Sequence, residues 1–284
     1  MNVYKSDKGR QIIRETCRAI YSRWPVPAEE KIITTEDFGD TFCLDMGPRT
    51  APPLILLHGS TSNSAAWMGY APNWAEHFRV LAIDIPGQPG LSSDIRPPLA
   101  DRSMKQWLNR VIEKLEIGSA FFCGMSLGSW IALEYAIDFS KKVRALCLLT
   151  TSGIVPPKTS FFLRILPLFF LGDWGARRIN RIVYGPVPAD PEAEKFVLLA
   201  SRHYNPITEK PPLFSDENLT SLNFPLLYVG GTMDALINTR DTAARLSRLM
   251  PSAEIKILKD TGHVILDQGD MIRDFFISCS AYSS

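Results

Sequence analysis

Histidine is scarce in this 284-residue chain, with four in all, and its five cysteines (Cys17, Cys43, Cys123, Cys147 and Cys279) are scattered without a CxxC pair. No cluster of such residues has metal-ligand spacing, so no metal is expected, and an odd, dispersed cysteine set does not form a disulfide framework. Charge of one sign is also lacking: 31 Lys plus Arg face 30 Asp plus Glu, a net charge of +1. That balance argues against nucleic acid as a partner. No long hydrophobic run exists. The most apolar stretch, FFLRILPLFFL at 161–171, contains Arg164 and Pro167 and is too short to span a bilayer, so no membrane span is expected. The first ten residues carry Lys5, Asp7, Lys8 and Arg10 with no apolar run behind them. A secretory signal is therefore not expected, and reduced thiols point to the cytoplasm. Internal repeats and low-complexity tracts are absent as well.

What is present is a globular composition, 45% hydrophobic and 21% charged, unlike that of a disordered chain. Residues 6–24 place Ile12, Ile13, Cys17, Ile20 and Tyr21 near one helical face, and Pro25 and Pro27 end that helix. Short strands follow at 31–35 and 41–46. Largely apolar runs at 54–57, 78–83, 120–123, 143–149 and 226–229 read as strands covered on both faces, and 254–258 as a last strand. Helical patterns at 64–76, 100–115, 127–137, 240–249 and 270–279 lie between them. Strand alternating with helix predicts a mostly parallel, eight-stranded α/β sheet flanked by helices. The length allows about two domains, yet the alternation breaks only once, at 154–223, a Pro-rich and apolar segment too long for a structureless loop. The expected organisation is an N-terminal helix and linker (1–30), a core built from 31–153 and 224–284, and a helical insertion at 154–223.

The chemistry concentrates at strand ends. Gly124-Met125-Ser126-Leu127-Gly128 follows one predicted strand and opens a helix, the context in which GxSxG makes a tight turn that projects the serine hydroxyl. A serine hydroxyl is a poor nucleophile without a base, and the base needs an orienting carboxylate. Of the four histidines only His263 follows the last strand, whereas His58 lies in an early turn, His77 at a helix end and His203 in the insertion. Asp234 lies just past the strand 226–229, giving the chain order Ser, Asp, His, while the turn at 150–153 offers no carboxylate. Each residue alone has a plainer role as a turn or loop residue. Their joint arrangement at three strand ends makes Ser126, Asp234 and His263 the expected catalytic set.

These motifs, with His58-Gly59-Ser60-Thr61, Asp84 to Ser92 (DIPGQPGLS) and Gly262-His263, resemble the α/β-hydrolase superfamily over about 31–279. Within it the chain is most similar to esterases and related hydrolases with a cap inserted after the sixth strand. The resemblance implies an oxyanion hole formed by the backbone N–H groups of Ser60 and Leu127. It also implies a shaped loop at 84–92, in which Pro89 departs from the usual spelling and Asp84 reads as salt-bridged or turn-capping. Serine at the elbow argues against the dehalogenases and epoxide hydrolases of the superfamily, whose nucleophile is aspartate.

The expected activity is hydrolysis of carboxylic esters through an acyl-Ser126 intermediate, without a cofactor, on a small-molecule ester. The run at 161–171 is too apolar for an exposed loop, so Phe161, Phe162, Leu166 and Phe169 are candidate pocket residues, although the insertion's own core would use them equally well. Arg177, Arg178 and Arg181 read as a solvated helix face, and Trp67, Trp74 and Trp130 as core. A C–C bond hydrolase, a lactonase or amidase-like peptidase, and a slowly turning over receptor or signalling partner share the same residues and stay open, as does the choice between monomer and homodimer.

Overall fold

The structure, a computed structural model, describes residues 2–188 and 190–280. Eight strands form one sheet: β1 (Ala28–Thr35), β2 (Gly39–Met46), β3 (Pro53–Leu57), β4 (Arg79–Ile83), β5 (Ala120–Met125), β6 (Val143–Leu149), β7 (Leu226–Gly231) and β8 (Glu254–Leu258), in the order β1-β2-β4-β3-β5-β6-β7-β8. The pairs β1–β2 and β2–β4 are antiparallel and all later pairs are parallel. Side chains alternate across a strand, so each central strand feeds two cores. Ile55, Leu57, Phe122, Leu146, Leu148 and Tyr228 point to one face, Leu54, Leu56, Phe121, Cys147, Leu227 and Val229 to the other, and all are buried. Trp67, Trp74, Trp130 and all five cysteines are buried too.

Helices cover both faces. On α1 (Asp7–Tyr21), Ser6 caps the N-terminus by accepting from the Gly9 N–H, and Ile13, Cys17 and Tyr21, four residues apart, form the buried stripe. The expected single helix at 64–76 is two pieces, a 3₁₀ turn (Ser64–Trp67) and α2 (Ala71–Ala75). Pro72 sits in the first turn of α2 and supplies no N–H to a preceding carbonyl, so the two pieces cannot fuse. Next come α3 (Ser103–Lys114) and α4 (Leu127–Asp138), the latter buried from Leu127 to Ala136.

Between β6 and β7 lie α5 (Thr159–Ile165), a 3₁₀ turn (Leu166–Phe170), α6 (Gly172–Tyr184), α7 (Pro191–His203) and α8 (Asp216–Thr220). Pro167 ends the α-helical run at α5. Gly175 lets α6 close on the 3₁₀ turn, since a Cβ there would lie 1.9 Å from the Leu168 carbonyl oxygen. The chain finishes with α9 (Thr239–Leu249) and α10 (Gly269–Ser280). Among the described residues no helix is long and apolar enough to cross a membrane.

Candidate active site

Parallel strands deliver their carboxyl ends to one edge of the sheet, and three of those ends meet. Ser126 joins β5 to α4 with φ +52° and ψ −107°, a conformation costly for any residue with a Cβ. The neighbouring glycines permit it. A Cβ on Gly128 would come within 2.0 Å of the Leu57 carbonyl oxygen, and one on Gly124 within 2.5 Å of the Ser129 nitrogen. Two hydrogen bonds pin the turn: Ser126 N–H donates to Leu149 O at 2.9 Å, and the Ser129 hydroxyl donates to Gly124 O at 2.5 Å.

The second and third residues arrive from the turns after β7 and β8. Gly231 allows these turns to touch, because a Cβ there would sit 2.1 Å from the Thr261 carbonyl oxygen. Asp234 Oδ1 accepts from the Leu236 and Ile237 amides at 2.8 and 2.9 Å, leaving Oδ2 to accept from His263 Nδ1–H at 2.8 Å. The Ser126 hydroxyl donates to His263 Nε2 at 2.9 Å. Asp234 and His263 are buried and Ser126 is partly exposed. Burial of Asp234 opposes its ionisation, but the facing His263 and the two amides outweigh that effect, and the carboxyl sits below its ordinary range. A carboxylate, an imidazole oriented by it and a hydroxyl on the imidazole's far nitrogen can together generate a nucleophilic alkoxide.

The two residues expected to supply amide donors adjoin this set in the chain fold. A Cβ on Gly59 would be 3.7 Å from Ser126 Cβ, so the turn bearing Ser60 borders the hydroxyl. Leu127 is the first residue of α4, and its N–H precedes the intrahelical ladder. His58 is enclosed behind that turn. It accepts from Ile85 N–H through Nε2 at 2.9 Å, which puts its proton on Nδ1, facing Gly59 O at 2.8 Å, and burial lowers its pKa. Among the described residues Asp84 has no ion-pair partner. Its carboxylate is fully buried and accepts from the Tyr21 hydroxyl, Ser64 N–H and hydroxyl, and Leu91 N–H, all at 2.7–3.0 Å. It therefore caps two turns, at Ser64 and at Leu91, and ties the end of α1 to them through Tyr21.

The expected pocket residues separate. Phe161 is buried, but Phe162, Leu166 and Phe169 are 42%, 59% and 57% exposed. For Phe162 and Leu166 spacing is the reason, since Phe161 and Ile165 share the inward face of α5 and the positions one residue later turn outward; Phe169 lies beyond Pro167 in the 3₁₀ turn, where the α-helical spacing no longer holds and no residue is buried.

Several residues that the pattern of motifs does not single out also touch the site. Lys158, just before α5, donates through Nζ to Asp234 O at 2.6 Å and through its N–H to Leu236 O at 2.7 Å. Val183 O, in α6, accepts the His263 N–H at 2.9 Å. Gln88 Oε1 accepts from Thr61 N–H at 2.8 Å and from the Tyr204 hydroxyl at 3.1 Å. A glutamine in the shaped loop was the one visible signal among them.

The model of the alpha/beta hydrolase family matches residues 54–275. The chain belongs to this family. Among curated relatives, the uncharacterized carboxylesterase nap of Bacillus subtilis is 27% identical over 260 residues, covering 88% of this chain and 86% of that protein. Carboxylesterase YbfK of the same bacterium is 26% identical over 268 residues, 90% of this chain and 89% of its own. The crystal structure of YbfK superposes with a TM-score of 0.86 at 24% identity, covering 98% of this chain and 100% of that one. The structure of the Bacillus subtilis naproxen esterase gives a TM-score of 0.84 at 24% identity over 96% and 98%. The two structural likenesses concern the fold, which this hydrolase shares with both.

Proposed function

We propose that the protein is a serine carboxylesterase acting on small to medium hydrophobic esters through an acyl-Ser126 intermediate. The observation that carries this reading is the unbroken chain from Asp234 Oδ2 through His263 to the Ser126 hydroxyl, with links of 2.8 and 2.9 Å. The names of the Bacillus relatives, both carboxylesterases, support it.

In this mechanism Ser126 Oγ attacks the ester carbonyl carbon while its proton passes to His263 Nε2. The carbonyl oxygen, now an oxyanion, moves between the Ser60 and Leu127 N–H groups, and each such donor contributes about 2.7–4 kcal/mol. Asp234 stabilises the imidazolium without taking its proton. Collapse of the tetrahedral intermediate breaks the ester C–O bond, and the alcohol leaves with the proton held by His263. Water repeats the sequence on the acyl-enzyme and frees the acid. No metal or organic cofactor enters the scheme. The segment 154–223 serves as the cap, and the reduced thiols suit the cytoplasm.

The test is turnover of para-nitrophenyl esters of graded acyl length, with lactones and diketones as competing substrates. The wild type hydrolyses the esters best, and Ser126→Ala lowers turnover by about 10⁶-fold. Equal turnover by Ser126→Ala, or a preference for diketones, would overturn the reading.

A further inference from the structure

The apolar run at 161–171 is only partly consumed by packing. Leu163 is 70% exposed, Phe170 83% and Trp174 63%, alongside the exposed Leu166, Phe169 and Leu171. The patch is built on packed secondary structure, since α5, the 3₁₀ turn and α6 fold back on one another with Gly175 against Leu168 O. A contiguous exposed apolar face of this kind is uncommon on a monomer and marks a contact surface.

Charge identifies what covers it. The carboxylates of α6 and α7 are already engaged: Asp173 with Arg202, Glu194 with Arg177, Glu192 with Lys195, and Asp190 with the first amides of α7. Glu209 accepts from the amides of Leu99 and Ala100. Among the described residues Arg164, Arg178 and Arg181 have no carboxylate partner, and the Lys210 ammonium lies over the Phe162 ring. On α5 and α6 the charged side chains left without an ionic partner among the described residues are therefore all positive. A second copy related by a two-fold axis would set those cations against themselves.

We propose that this face docks on an anionic lipid surface, with Leu163, Phe170 and Trp174 entering the headgroup and acyl boundary and Arg164, Arg178 and Arg181 reaching phosphate. Apolar residues beside basic ones on a short helical tip have the make-up of an interfacial anchor, and the arginine stems suit a position at that depth. Anionic leaflets attract such cations, about fivefold in affinity for each. The consequence for catalysis rests on the esterase reading: Lys158, at the base of α5, is bonded to the Asp234 loop, so lipid-dissolved esters would meet the protein next to Ser126.

The experiment uses full-length Ser126→Ala, which keeps docking separate from turnover, and measures co-sedimentation with vesicles of phosphatidylcholine alone or mixed with phosphatidylglycerol. The expected result is binding to the mixed vesicles, weakened by salt, and at least about tenfold weaker binding both for Leu163→Ser with Phe170→Ser and for Arg178→Ala with Arg181→Ala. The same pairs on the Ser126 background keep their turnover of a soluble ester, which reports an intact fold. Absence of binding to mixed vesicles, or undiminished binding by the Leu163 and Phe170 pair, overturns the proposal. So does a wild-type dimer that this pair dissociates while vesicles stay unbound. Each of these results leaves the esterase reading standing, and loss of ester turnover alone leaves docking standing.

Discussion

Replacing Asp234 by Asn changes one atom in the site and tests the geometry more sharply than a truncation. In the wild type Oδ1 is fixed by two amide donors, Leu236 and Ile237, and Oδ2 faces His263 Nδ1. In the amide variant the single carbonyl oxygen must stay with those two donors, because turning the NH₂ group toward them would set its N–H donors against two buried backbone N–H groups left without an acceptor. The NH₂ then points at His263 Nδ1 and needs an acceptor there. The imidazole answers by moving its proton to Nε2, the atom that must accept the Ser126 proton. Nearly all of the enzyme is thereby held in the wrong tautomer, and the expected loss in kcat is about 10⁴-fold, equivalent to about 5 kcal/mol of transition-state stabilisation. Steady-state hydrolysis of a para-nitrophenyl ester measures it, and nitrogen NMR of the imidazole reads the tautomer directly. An Asn variant within tenfold of the wild type, or one with its His263 proton still on Nδ1, would refute the orienting role of Asp234.

Three other expectations follow from the same residues. Since the Asp234 carboxyl is held below the ordinary carboxyl range of about 4, the stability it contributes is present above that range and lost only as pH falls through its lowered folded-state value; urea unfolding should show Asp234→Asn with the shallower acid loss, and an equal pH dependence counts against the pairing of Asp234 with His263. Burial pushes Glu134 up to about 7, and among the described residues its Oε2 has no hydrogen-bond partner. Its native state favours the protonated form, so the associated stability, about 3 kcal/mol, is present below about pH 4.5 and lost as pH rises through about 7; urea unfolding at both ends of that window should show Glu134→Gln with the shallower pH dependence. Gln88→Ala leaves the Thr61 N–H beside the Ser60 turn without its acceptor, and kcat should fall about tenfold with KM little changed; a drop in melting temperature with kcat preserved would make Gln88 merely structural.

The sheet was readable in the sequence because strands buried on both faces are spelled as short apolar runs, as at Leu54 to Leu57 and Leu226 to Val229. Where burial fades, so does the reading. β1 begins at Ala28, three residues before the expected start, because Glu29 and Glu30 face solvent at the sheet edge and carry no apolar signal. Ser126, Asp234 and His263 could be picked out because strand ends in a parallel sheet converge, which turns chain order into spatial proximity. The outward turn of Phe162, Leu166 and Phe169 could not. Hydrophobicity says that a side chain avoids water, but it does not say whether the protein or something outside it provides the cover.

The contacts from the segment 154–223 were equally invisible, since a backbone carbonyl such as Val183 O has no residue-type signature. They decide how the segment can move. Lys158 holds the Asp234 loop, Val183 holds the His263 backbone, and Tyr204 holds Gln88 beside the Ser60 turn. The Asp234 loop, the His263 backbone and the Ser60 turn each take one support from it. A rigid opening of the whole segment would break all of these bonds at about 0.5–1.5 kcal/mol each and disorder the site as substrate entered. Access by movement of the α5 and 3₁₀ tip alone breaks none of the Val183 and Tyr204 contacts. The α5 and 3₁₀ tip, which carries Leu163, Arg164 and Phe170, is thus the part that can shift on a lipid surface, while α6, which carries Trp174, Arg178 and Arg181, and α7 keep the hydroxyl, imidazole and carboxylate aligned.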